Sequence, residues 1–145
     1  MKIALVAGGH LPIPPQGWGG VEHLIWNFHN QLSERGDEVV LVNTTDLNDV
    51  VTTINNGNFD AVHLHYDQYS DMMSHINCDK KLITSHYPNL ENPEPQYLFL
   101  YDLLKNSGAH IVCLSDRIEK EFVNRGCDST NVSILPCGID VDLYS

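Results

Sequence analysis

The residues of this sequence that could do chemistry are mainly glycines and histidines. Gly17-Trp18-Gly19-Gly20 runs directly into a stretch of helical periodicity beginning at Val21. Glycines ahead of a helix bring bare N–H groups and the positive end of the helix dipole to one place, which suits a phosphate or another anion. The same glycines would equally serve a turn that needs positive φ and holds no ligand. Glu22 falls in the first helical turn, where a carboxylate suits the dipole; there it would repel a phosphate unless it turned to a sugar hydroxyl. His63 and His65, two apart in an apolar run, point to one face of a strand, and with His86 or His10 they could in principle hold a metal. No carboxylate or cysteine at a recognisable ligand spacing accompanies them, so we expect no metal and read them as polar strand-end residues. His86 itself closes an apolar run and opens a Pro-rich loop. Ser85 and Ser115 lack a GxSxG elbow, and Ser115-Asp116 reads as a helix N-cap, so no nucleophile–base–acid set is visible.

The elements that must position these residues alternate along the chain. Lys2-Ile-Ala-Leu-Val-Ala7 has strand length and stops at Gly8-Gly9, and a Pro-rich loop from His10 to Gln16 follows. Val21, Leu24, Ile25, Phe28 and Leu32 make one helical stripe that ends at Ser33-Glu34-Arg35-Gly36. A second strand is expected over 38–43, and a second helix carries Leu47, Val50, Val51 and Ile54. Further strands are expected over 60–65, 81–85, 110–114 and 132–135, with helices around 69–76, from about Gln96 to Asn106, and over 116–125. This succession implies βαβ units, hence a doubly wound, Rossmann-like α/β domain of about six mostly parallel strands with helices on both faces. Ligands of such sheets bind at the carboxyl ends of the strands, which here carry the loops Gly8 to Gly20, Tyr66 to Gln68, His86 to Pro95 and Ser115-Asp116.

With 145 residues, 42% of them apolar, the chain has the length of one domain with a real core. A formal charge of −11 repels polyanions and argues against nucleic acid or an anionic membrane as partner. No apolar run reaches membrane-spanning length, and because Met1-Lys2 leads straight into a strand we expect no signal sequence. Cys78, Cys113, Cys127 and Cys137 form no CxxC pair, so we expect reduced thiols in a cytoplasmic protein. Ala7-Gly8-Gly9-His10-Leu11-Pro12 is not the GxGxxG dinucleotide fingerprint, and Val42-Asn43-Thr44 lacks the acidic residue that would hold a ribose.

Several stretches together resemble a known family. Lys2 to Ala7 followed by Pro14-Pro15-Gln16-Gly17-Trp18-Gly19-Gly20-Val21-Glu22 is similar to the start of the family 4 retaining glycosyltransferases of the GT-B fold. Leu32 to Val39, Phe59 to His65, Thr84-Ser85-His86, Val112 to Ser115, and Ile134-Leu135-Pro136-Cys137-Gly138-Ile139-Asp140 continue the likeness in the family's order. Asp37 stands where many relatives have His, and Cys137 where Asn is usual.

The resemblance implies that residues 1–135 form the acceptor-side domain, that 136–145 begin the crossing between domains, and that a second, nucleotide-sugar domain is missing from this chain. It implies further that Gly19 and Gly20 approach the donor diphosphate and that His86 hydrogen-bonds the transferred sugar as the catalytic residue. Gln16, Gly17, Trp18, Glu22, His65, Tyr66 and Tyr87 would help form the acceptor pocket. The partners implied are a nucleotide-sugar and a carbohydrate or glycoconjugate acceptor, with no metal and no cofactor. Two other readings stay open on the residues alone: a non-catalytic sugar- or nucleotide-binding module, and the Rossmann domain of a dehydrogenase or nucleotide-sugar epimerase. Helix 96–106 is apolar on nearly every side and Trp26 lies off its helix's apolar stripe, so each could meet something outside the chain.

Overall fold

The computed structural model describes residues 1–86, 95, 98–138 and 141–143. Its framework is set by short runs rich in Ile, Val, Leu and Ala, apolar enough for strands covered on both faces. β1 (Lys2–Ala7), β2 (Glu38–Asn43), β3 (Ala61–Leu64), β4 (Lys80–Thr84), β5 (His110–Cys113) and β6 (Val132–Ile134) form a single sheet of order β2-β1-β3-β4-β5-β6. Every neighbouring pair is parallel. Between the strands lie α1 (Gly20–Glu34), α2 (Leu47–Asn56), α3 (Phe99–Lys105) and α4 (Asp116–Asn124). The result is the doubly wound, Rossmann-like architecture that the alternation of elements implies.

Strand periodicity divides the core in two. Ile3, Leu5 and Ala7 of β1 pack with Ile25 of α1, flanked by Val21, Phe28 and Leu32. The intervening Ala4 and Val6 face the opposite side, where Val50 and Ile54 of α2, Leu100, Tyr101 and Leu104 of α3, and Ile118 and Phe122 of α4 complete a larger cluster. The chain therefore leaves β1 over one face through α1 and reaches β3 over the other through α2. Winding reverses between β1 and β3, and a crevice opens at their carboxyl ends.

Helix starts differ in their caps, and α3, with Leu98 at its N-cap, has no side-chain cap, as is also true of α1. Asp46 caps α2 by accepting from the amides of Asn48 and Asp49, and Ser115 caps α4 by accepting from Ile118 N–H, as its sequence position suggests. At the start of α1 stands Gly19, at φ 127, with no side chain to offer as a cap. The opposite edge of the sheet is electrostatic: the Met1 amine and Arg35 both bind Asp37, at 2.8 and 2.6 Å, and hold its carboxyl below the usual range. Lys80 and Lys81 open β4 on that same edge.

Two expected helices differ from the sequence reading. The segment expected as a helix over 69–76 is a 3-10 helix, Asp67–His75. Ser70 and Ser74 donate their hydroxyls to the carbonyls of Asp67 and Asp71, competing with the main chain for the α pattern. The helix expected from Gln96 is described over Phe99–Lys105, residues 96 and 97 lying outside the described set. Its Leu100, Tyr101 and Leu104 are core residues, while Phe99 is exposed; Trp26 on α1 stacks on His29 at 4.7 Å.

Ile25 is fully buried and is the residue through which α1 is seated on the sheet. Replacing it with Ala should lower unfolding free energy by about 2–5 kcal/mol, read from urea denaturation. A loss within experimental error would mean that α1 is held in place by something else.

Candidate functional site

Gly8 follows β1, His65 and Tyr66 follow β3, and Ser85 and His86 follow β4, so the sheet delivers all of them to the crevice at the winding reversal. Facing them is the amino end of α1. A cavity of about 280 Å³ lies between, lined by Gly8, His10, Gly20, Val21, Glu22, His65, Tyr66, Asp67, Gln68 and His86.

The rim is made of main chain. The first intrahelical bond of α1 is donated by His23 to Gly19 O, at 3.0 Å, which leaves the amides of Gly20, Val21 and Glu22 without a partner among the described residues. Gly19 and Gly20 differ in what the fold demands of them. Gly19 sits at φ 127, a conformation that other residues adopt only under strain, so the backbone there favours glycine; the Glu22 Oε2 that a Cβ would approach to 2.5 Å ends a flexible side chain. At Gly20 a Cβ would meet nothing within 4 Å and φ is unexceptional, so nothing within the described fold requires a glycine.

The loop behind the rim is braced from β2. Asn43 accepts from Gly9 N–H through Oδ1, at 2.9 Å, and donates through Nδ2 to Leu11 O, at 2.8 Å. The end of β2, where a dinucleotide fold places its ribose-binding acid, is thus engaged in holding the glycine loop. Tyr69 donates to Gly8 O at 2.8 Å and packs edge-on against Tyr66, fixing that side of the floor.

The rest of the floor is polar and buried. His63, His65 and His86 form a stack in which His63 and His65 are 4.0 Å apart by ring centroid. His65 Nδ1 and His86 Nε2 share a hydrogen bond of 3.0 Å, and His63 Nε2 shares one of 2.6 Å with Thr84 Oγ1. His65 is 2% exposed, and its Nε2 is buried with no partner. Burial is the first cause that keeps all three rings neutral: His63, also repelled by His86, and His86 are pushed down to about 4, and His65 well below its ordinary value. Asp67 completes the floor. It is 4% exposed, its Oδ2 accepts from Ser85 Oγ at 2.9 Å, and burial lifts its carboxyl to about 7 against that hydrogen bond.

Of the residues singled out in the sequence, the cavity brings together Gly20, Glu22, His65, Tyr66 and His86. Gln16, Gly17, Trp18 and Gly19 lie outside its lining, with Trp18 94% exposed and Gly17 O bonded to the His23 ring. Tyr87 lies outside the described residues. Asp67, with its Ser85 tether, was not singled out. The available signal was its place in the loop after β3, directly behind an apolar strand. Among the described residues no group of three or more His, Cys, Asp or Glu is arranged to hold a metal, and no helix is long and apolar enough to cross a membrane.

No family model matches the chain, and no curated protein is similar to it in sequence. Solved structures do match its fold. Anabaena Alr3699/HepE in complex with UDP-glucose superimposes with a TM-score of 0.65 at 15% identity, over 99% of this chain and 46% of that one. AviGT4, a glycosyltransferase involved in avilamycin A biosynthesis, gives 0.64 at 17% identity, over 96% of this chain and 42% of that one. Alr3699/HepE with UDP and glucose matches equally well, at 0.65. At these identities the likeness is one of fold, a six-stranded parallel Rossmann-like sheet with its helices. This chain spans under half the length of the structures it matches.

The floor gives stability a defined pH profile. Below the ordinary imidazole value of 6.5 the unfolded chain takes up protons that folded His63, His65 and His86 refuse, so stability should fall as pH drops from 6.5 towards 4. Asp67 acts with the opposite sign, because the folded chain keeps a proton that the unfolded chain releases between 3.8 and about 7. At pH 6.5 the three unfolded imidazoles still hold about 1.5 protons, more than the single proton that folded Asp67 can keep, so the imidazoles set the sign throughout. Urea midpoints should therefore rise from pH 4 to about 7 and then level off, with a steeper rise in Asp67→Asn. A flat midpoint between pH 4 and 6.5 would contradict the buried neutral stack.

Proposed function

We propose that this chain is the acceptor-side wall of a retaining glycosyltransferase of the GT-B fold, family 4 type, which moves a sugar from a nucleotide-sugar to an acceptor hydroxyl. The observation that carries the reading is the cavity at the winding reversal, with unpaired amides of α1 on its rim and neutral polar groups on its floor. Support comes from the fold neighbours, of which AviGT4 is a glycosyltransferase and Alr3699/HepE holds UDP-glucose. At about 280 Å³ the cavity is just under the ~300–1,000 Å³ of sites that enclose a drug-sized ligand, so it takes part of a nucleotide-sugar and a second domain takes the remainder.

The chemistry fits these groups. In a front-face retaining transfer the leaving diphosphate accepts the acceptor's proton while the sugar passes through an oxocarbenium-like state, and no protein nucleophile is needed. What the protein contributes is positioning, together with donors aimed at charge developing on the leaving group. The amides of Gly20 and Val21 are such donors, already oriented and without competing partners. Gly19 supplies the backbone turn that aims them. His86 hydrogen-bonds the transferred sugar, and its Nε2 is held by the hydrogen bond it shares with His65 Nδ1. Glu22, Tyr66 and His65 border the acceptor, and Gln16, Gly17, Trp18 and Tyr87 belong to the loops that close over it. No metal is required, because the dipole and amides of α1 meet the negative charge.

Calorimetric titration of the protein with UDP-glucose and with NAD tests this reading. UDP-glucose should bind and NAD should not, since Asn43 leaves no acid for the ribose. Gly20→Ala should leave the melting temperature unchanged or slightly raised, because its Cβ meets nothing, yet weaken UDP-glucose binding about tenfold or more by crowding the amides. His86→Ala should weaken it comparably. Unchanged binding in either variant would remove that residue from the site, and NAD binding in place of UDP-glucose would overturn the assignment.

A further inference from the structure

We propose that Asp67, tethered by Ser85, is a sugar-positioning residue that holds a hydroxyl of the transferred hexose on the cavity floor; this rests on the glycosyltransferase reading above. Asp67 opens the 3-10 helix after β3, and its side chain lines the cavity while remaining 4% exposed. One carboxyl oxygen is committed to Ser85 Oγ at 2.9 Å. The other has no hydrogen-bond partner among the described residues. Ser70 Oγ, bonded to Asp67 O, pins the backbone at the same point, so the free oxygen is held still.

A carboxyl this buried, with one oxygen left to the cavity, costs stability, and packing alone gives no reason to keep it. His65 lines the same cavity, but its unpartnered Nε2 is sealed within the protein. The remaining oxygen of Asp67 is thus the group that points to a ligand. The ligand's chemistry follows from what surrounds that oxygen. Among the described residues the lining contains the carboxyl groups of Glu22 and Asp67, the buried imidazoles of His65 and His86, and no Lys or Arg, so the floor offers a phosphate no positive charge. An uncharged polyol is accepted, because a hydroxyl can donate to a carboxylate or receive a proton from a carboxylic acid. The charged part of a nucleotide-sugar then stays at the rim with the amides of α1, and its sugar goes down.

The test uses isotope-labelled full chain and follows amide NMR shifts at Gly8, Gly20 and Asp67 during titration with glucose, UDP-glucose and UDP. In the wild type, UDP-glucose and UDP should shift Gly20, and only the two sugar-bearing probes should shift residue 67. Asp67→Asn should weaken UDP-glucose and glucose by about tenfold or more and leave UDP unchanged. Core amides of Ile54 and Phe122 should keep their positions, showing an intact fold. Ser85→Ala keeps the acid while freeing it, and should give the same selective loss to a smaller extent. Equal binding of UDP-glucose by wild type and Asp67→Asn, or an equal loss for UDP-glucose and UDP, overturns the role of Asp67 and leaves the glycosyltransferase reading standing. Absence of any cavity shift in the wild type with all three probes overturns that reading itself, and this inference with it.

Discussion

The structure depends on one constraint: a helix without a side-chain cap must end at the point where the sheet reverses its winding. Gly19 offers α1 no capping oxygen, so the amides of Gly20, Val21 and Glu22 remain available. Ile25 and its apolar neighbours fix α1 against β1, and Asn43 fixes the loop that precedes it. Free donors are thereby held in place before any ligand arrives, which is what makes backbone groups effective for stabilising charge. Asp46 and Ser115 cap α2 and α4 with their side chains, whereas α3, with Leu98 at its N-cap, lacks such a cap as α1 does. Of these two uncapped ends, that of α1 borders the cavity.

Charge is distributed in keeping with this. Lys80, Lys81 and Arg35 lie towards the amino-end edge of the sheet, away from the cavity, and no Lys or Arg lines the cavity itself. Burial then keeps the imidazoles of His65 and His86, and of His63 beside them, neutral, and raises the carboxyl of Asp67 to about 7. A low-dielectric floor without a cationic side chain among the described residues strengthens hydrogen bonds made to it, and an uncharged partner suits it best. The molecule's formal charge of −11 reinforces this, leaving main-chain dipoles as the means of meeting an anion.

Much of the architecture was legible in the sequence because strand and helix periods alternate cleanly. β1 and β2 run over the residues their apolar runs mark, and α2 carries the expected Leu47, Val50, Val51 and Ile54. The 3-10 segment was misread because hydroxyl-to-carbonyl bonds from Ser70 and Ser74 are not visible as periodicity. In the site, Gly20, His65, Tyr66 and His86 were readable from topology, since each follows a strand or begins a helix at the ligand edge. Asp67 was not, because its importance lies in burial and in a bond to Ser85, eighteen residues away. Likewise, that Gly19 is favoured by backbone geometry and Gly20 is not requires knowing the φ at each. Trp18, conspicuous as a residue type, is almost wholly exposed and outside the cavity.

The most direct check is a crystal structure of this protein soaked with UDP-glucose. The account predicts ligand density at the carboxyl ends of β1 and β3, with an anionic oxygen within hydrogen-bond distance of the Gly20 or Val21 amide and the hexose towards His86. Density lodged instead in the groove between Asn27 and Gln31 of α1 and Pro136, with the amides of Gly20 to Glu22 left untouched, would contradict it.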